Sequence, residues 1–176
     1  FCRISRAYKK EKYSYLITKK YKNILKATII FVASSVINQW KNAIDTFTSL
    51  KYFIVNDVRT LQQLINMMVD KSINKFDIVI VKNGKVSRPI IFPSDVIVED
   101  RNLSKTTFYI FNIIANMVKY SWYRVVVDDF DINKLPYNAG VVHGFLTWFI
   151  SSTRKRITLK GNNNTQFKKT SDLFFL

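Results

Sequence analysis

Tyr123-Arg-Val-Val-Val-Asp-Asp-Phe-Asp131 runs three β-branched valines into three acids, Asp128, Asp129 and Asp131. Valine runs favour strands, and an apolar run bounded by turn residues reads as a buried one. A buried strand that ends in carboxylates carries negative charge to the C-terminal edge of a sheet, where α/β folds bind ligands. Acids at that edge commonly hold Mg²⁺ against a nucleotide phosphate. The bland alternative is a strand-end turn, with Asn133 and Pro136 following.

The flanking sequence repeats the same rhythm. Further strands are predicted over residues 27–33, 51–56, 76–82 and 145–150, each a short apolar run rich in β-branched or aromatic residues. Helical spacing links Val36, Ile37, Trp40, Ile44 and Phe47, with Ser34 and Ser35 as candidate N-caps. Asp57 is placed to cap a helix carrying Leu61, Leu64, Ile65 and Met68. A third helix is predicted over residues 106–119, through Phe108, Ile110, Phe111, Ile114 and Met117. Strand and helix alternate at βαβ spacing, so the expected class is α/β, a mostly parallel sheet with helices on both faces.

Three blocks follow. Residues 1–24 form a basic, tyrosine-rich N-terminal segment, residues 25–155 the α/β domain, and residues 156–176 a basic polar tail. Within the domain, residues 83–104 carry Pro89, Pro93 and scattered charges, and read as an irregular insertion or a short hairpin.

Composition narrows the function. With 28 Lys and Arg against 12 Asp and Glu, the 176-residue chain has a formal charge of +16, which points to a polyanionic partner, DNA or RNA first. Lys, Asn and Ile are also what an A/T-biased genome supplies, and a large DNA virus would fit that bias. The single cysteine, Cys2, excludes an internal disulfide and a Cys-rich zinc site. No apolar run approaches the roughly 18 residues of a membrane span, and no signal-peptide pattern opens the chain. The expected setting is the cell interior or a virion, without a membrane partner. His143 has no Cys or His beside it in sequence and is a poor metal ligand. Trp40, Trp122 and Trp148 lie in apolar patterns and are assigned to the core.

The ordered set of strand ends resembles the first RecA-like domain of superfamily 2 helicases, the Snf2-type translocases in particular. Val32-Ala-Ser-Ser-Val-Ile-Asn-Gln-Trp40 looks like motif Ia, Val125-Val-Val-Asp-Asp-Phe-Asp131 like motif II, the Walker B box, and Trp148-Phe-Ile-Ser-Ser-Thr153 like motif III. The resemblance implies ATP and Mg²⁺ as cofactors, with Asp128 and Asp131 at the metal. It implies a catalytic role for Asp129, a coupling role at the nucleotide for Ser151 and Thr153, and contact with the nucleic-acid backbone for Ser34, Ser35 and Asn38. Asp129 stands where the family has Glu, one methylene longer, so water would be poorly oriented for attack.

The chain also departs from the family pattern. A phosphate-binding loop needs glycines with Lys and Ser or Thr, and no glycine precedes Gly84. Ser104-Lys-Thr-Thr107 lacks the glycines and reads as a helix start. The leading expectation is part of a nucleic-acid-dependent ATPase in viral-type replication, transcription or packaging, working with other virion or transcription proteins. The alternative is a non-catalytic nucleic-acid-binding or virion structural protein on the same fold. Phe1 in place of Met suggests a processed chain or a fragment. In either case these residues alone are expected not to hydrolyse ATP.

Overall fold

The computed structural model describes residues 23–87, 90–94, 108–117, 119–129 and 142–150. In chain order the elements are β1 (Ile24–Val32), α1 (Ile37–Phe47), β2 (Tyr52–Val55), α2 (Val58–Val69), β3 (Ile78–Lys82), β4 (Lys85–Val86), β5 (Phe108–Tyr109), α3 (Ile110–Asn116), β6 (Ser121–Val127) and β7 (Gly144–Phe149). Five strands form one parallel sheet in the order β2-β3-β1-β6-β7. The expected α/β class with a mostly parallel sheet is therefore what the chain adopts.

β1 lies at the centre because its side chains are apolar on both faces. Leu25, Ala27, Ile29 and Phe31 enter one core with Leu61, Leu64, Ile65 and Met68 of α2 and Ile110, Phe111, Ile113 and Ile114 of α3. Ile30 and Val32 enter a second core on the opposite face, where Ile44, Ile37 and Trp40 of α1 cover them together with Ile80 and Val126. Helices thus lie on both faces. In the larger core the Phe31 and Phe111 rings meet at 4.7 Å between centroids, tilted by 58°. Each such side chain contributes about 1.5–3 kcal/mol when fully buried.

Pairing beyond the reach of local pattern changed several boundaries. β1 begins three residues earlier than expected, at Ile24, and β6 begins at Ser121, ahead of the valine run, and Ile24 pairs with Ser121. The third helix is shorter than residues 106–119, because Phe108 and Tyr109 pair antiparallel with Val86 and Lys85 before the helix starts at Ile110. That two-stranded ribbon pairs the start of the expected insertion with residues just beyond its end. Nearby, the Gln62 amide clamps the backbone of Ile91 in both directions, donating to its carbonyl at 2.6 Å and accepting from its N–H at 3.0 Å. Ile90 and Phe92 then turn into the core. At the start of β7, Gly144 lies opposite Trp122. A Cβ there would sit 2.6 Å from Val125 Cγ2, so only glycine lets β7 approach β6 this closely.

Of the N-terminal segment only Asn23 and Ile24 are described, and the tail of residues 156–176 lies outside the described residues. Among the described residues, no helix is long and apolar enough to cross a membrane.

The cap of α2 is the one predicted. Asp57 accepts from the Thr60 N–H at 2.8 Å, and Thr60 Oγ1 accepts from the Asp57 N–H at 3.2 Å, closing a capping box. The Thr60 N–H holds the Asp57 carboxyl below the ordinary aspartate value. A lowered folded pKa stabilises above the unfolded value and loses that stabilisation as pH falls through the folded value. Asp57→Ala should therefore cost about 1 kcal/mol at neutral pH. Urea titrations repeated at falling pH should show this difference shrinking below about pH 4.

Candidate functional site

The strand order reverses at β1. From β1 the chain passes through α1 to β2 on one side of the sheet, and from β6 it proceeds to β7 on the other. The C-terminal edge between β1 and β6 is thus a topological switch point, the place where open α/β sheets bind ligands. Ser34 and Ser35 follow β1 at that edge, and Asp128 follows β6. β7 pairs in parallel on the far side of β6, so its C-terminal end reaches the same edge.

Backbone bonds bring these ends to one level. The Asp128 N–H donates to the Phe31 carbonyl at 2.9 Å, the Asn83 N–H to the Val32 carbonyl at 2.7 Å, and the Ile150 N–H to the Val127 carbonyl at 2.9 Å. The expected alignment of the β1 and β6 ends is present. Ser151 and Thr153, which continue from β7, lie outside the described residues, as does Asp131.

The Asp128 carboxylate is held from two directions. Trp40 Nε1 donates to its Oδ2 at 2.7 Å, a part-buried contact across 88 residues of sequence. The Asp129 N–H donates to its Oδ1 at 3.0 Å. A half-buried indole N–H needs an acceptor, and a carboxylate strengthens the bond. The effect is to tie α1, which covers the second core, to the end of β6.

Asp129 takes a left-handed backbone conformation, with φ of 45°. Asp and Asn tolerate that region best among non-glycine residues. The turn that closes β6 thus gives a local reason for aspartate here, independent of catalysis. Both the turn reading and the ligand-edge reading of this segment describe features that coexist.

Ser34 and Ser35 are placed differently from the cap expectation. Ser34 and Ser35 form a single 3₁₀ turn with Val36 and make no side-chain cap bond to α1. Both are exposed, as is Asn38 in the first turn of α1, so all three present polar groups at the sheet edge. Among the described residues, no group of three His, Cys, Asp or Glu could enclose a metal ion. A magnesium ion here would therefore rely on water and nucleotide oxygens, with Asp128 as acceptor, the mode in which Mg²⁺ usually binds.

Sequence pattern misassigned one tryptophan, Trp148. Trp122 is fully buried as expected, but Trp148 is 51% exposed on β7, and Trp40 serves the acid at the switch point as well as the core. The signal for Trp40 was its polar N–H at a position one turn inside an otherwise apolar helix face.

No protein-family model matches the chain, and a search of curated proteins gives no match. The reading of the site rests on the residues themselves.

The backbone at Asp129 provides a direct test. Asp129→Val should destabilise the fold by about 1–2 kcal/mol, the cost of forcing a β-branched residue into the left-handed region. Asp129→Gly should cost little. Chemical denaturation of the two variants checks the order.

Proposed function

We propose that this chain is a nucleic-acid-binding module with a helicase-type, RecA-like sheet, and that these residues by themselves do not turn over ATP. The observation that carries the reading is the switch-point edge of the sheet, where exposed Ser34, Ser35 and Asn38 follow β1 and Asp128 follows the neighbouring β6, in a chain of charge +16. Hydroxyl and amide groups at such an edge position a phosphate backbone, and excess Lys and Arg supply affinity through counterion release. Asp128 acts first as an anchor. It fixes α1, and with it the polar turn at Ser34 and Ser35, against β6.

A second reading, part of a nucleic-acid-dependent ATPase, is favoured by Asp128 itself, an acid at the end of a central strand next to the motif Ia turn. A bound magnesium nucleotide would supply charge neutralisation at the transferred phosphoryl group. Asp128 would orient the hydration shell of the ion, and Asp129 would face the attacking water at short reach. That chemistry needs a glycine-rich phosphate loop, and none precedes β1 within these residues. The nucleic acid, DNA or RNA, is the partner common to both readings.

Binding of a fluorescent oligonucleotide, measured against salt, tests the proposal. Log K should fall against log salt with a slope of about −2 or steeper, as three or more single-strand phosphate contacts require. A flat line would overturn it. Phosphate release from Mg-ATP should stay at the buffer level with and without DNA. Turnover that Asp128→Ala abolishes would establish the ATPase reading instead.

A further inference from the structure

A recess of about 490 Å³ opens at the ends of β2 and β3, lined by Asn56, Asp57, Arg59, Lys85, Val86 and Ser87. It lies on the same C-terminal edge as the switch point, but to one side. Two strand spacings separate the end of β2 from the end of β1, about 10 Å. Its volume falls within the range of about 300–1,000 Å³ typical of ligand pockets.

Its walls come from two elements that sequence pattern does not connect. Asn56 to Arg59 lead from β2 into α2, and Lys85 to Ser87 belong to the ribbon beyond β3. The N-terminal amide of α2 at Thr60 is already satisfied by Asp57, so an anion here would depend on side chains. Arg59 and Lys85 supply two cations, and the Arg59 charge also acts on the Asp57 carboxylate beside it. The Lys85 ammonium sits 5.2 Å from the Tyr109 ring centroid, which places its charge beside the recess on a half-buried aromatic support. Asn56 Oδ1 accepts from Thr60 Oγ1 at 3.3 Å, which leaves its amide nitrogen as the donor for a ligand, and Ser87 adds a hydroxyl.

One carboxylate and two cations leave a single net positive charge. That matches the monoanionic phosphodiester of a nucleic-acid chain better than the multiple charges of a nucleoside triphosphate. The exposed walls suit a strand that passes through. We propose that this recess seats one backbone phosphodiester of a single-stranded nucleic acid, with Arg59 and Lys85 as its counter-charges. The inference rests on the nucleic-acid reading above and extends the track from Ser34 and Ser35 along the edge to β2.

The test compares the Arg59→Gln, Lys85→Gln double variant with a Lys26→Gln, Lys75→Gln control of equal charge change at the opposite, N-terminal edge of the sheet. Affinity for a labelled 20-residue oligothymidylate is followed by anisotropy at several salt concentrations. Each single-strand phosphate contact is worth about 0.7 in the log–log slope, or about fivefold in affinity at 0.1 M salt. The recess variant should lose about 25-fold, with a slope flatter by about 1.4, and the control less than half of that slope change. Thermal melting confirms that both variants fold. If the wild type binds and the two variants weaken equally, the recess is not a phosphate seat, while the nucleic-acid reading stands. If the wild type shows no salt-dependent binding, that reading falls and the recess with it.

Discussion

The parallel pairing of β1 with β3 on one side and β6 on the other is the constraint on which the rest depends. It runs from Thr28 to Val32 against Ile78 to Lys82, and from Ile24 to Phe31 against Ser121 to Val127. A strand bordered on both edges and covered on both faces must be apolar where it is covered, and Ala27, Ile29, Phe31 and Val32 are fully buried while Lys26 near its start is exposed. Because the chain leaves β1 toward one side and β6 toward the other, this pairing also places the topological switch point at their C-terminal ends. Site and core are thus consequences of the same register.

Much of this was legible in the sequence because each strand is a compact run of β-branched residues. The valines of β6 and the Ile-Val-Ile-Val of β3 have no comparable helical reading, and Asp57 announces α2 by the chemistry of its side chain. Local pattern failed where distant pairing decided the outcome. Phe108 and Tyr109 continue a helical spacing, yet they pair with Val86 and Lys85 across the insertion. Ser34 and Ser35 have the right chemistry for caps, but the chain makes a 3₁₀ turn there and leaves them to solvent. A hydroxyl signals an available bond without saying who receives it.

The acidic segment shows the same division. That Asp128 follows a buried strand at the C-terminal edge of the sheet could be read from valines and acids alone. That its carboxylate receives the indole of Trp40 could not, since 88 residues separate them. The bond changes the meaning of the acid. A carboxylate offered only to a metal would be free to move with it, whereas Asp128 is anchored to α1 and to the turn at Asp129. Its position at the switch point and its bonds to Trp40 and Asp129 together give this edge of the sheet a fixed shape.

The coupling between Trp40 and Asp128 is therefore the quantity to measure. A double-mutant cycle with Trp40→Phe, Asp128→Ala and the combined variant, read by chemical denaturation, isolates it from the loss of each side chain elsewhere. A part-buried hydrogen bond to a charged group predicts a coupling of about 1.5–3 kcal/mol. Strictly additive losses, with coupling below about 0.5 kcal/mol, would mean that the acid does not anchor the helix and would contradict the account.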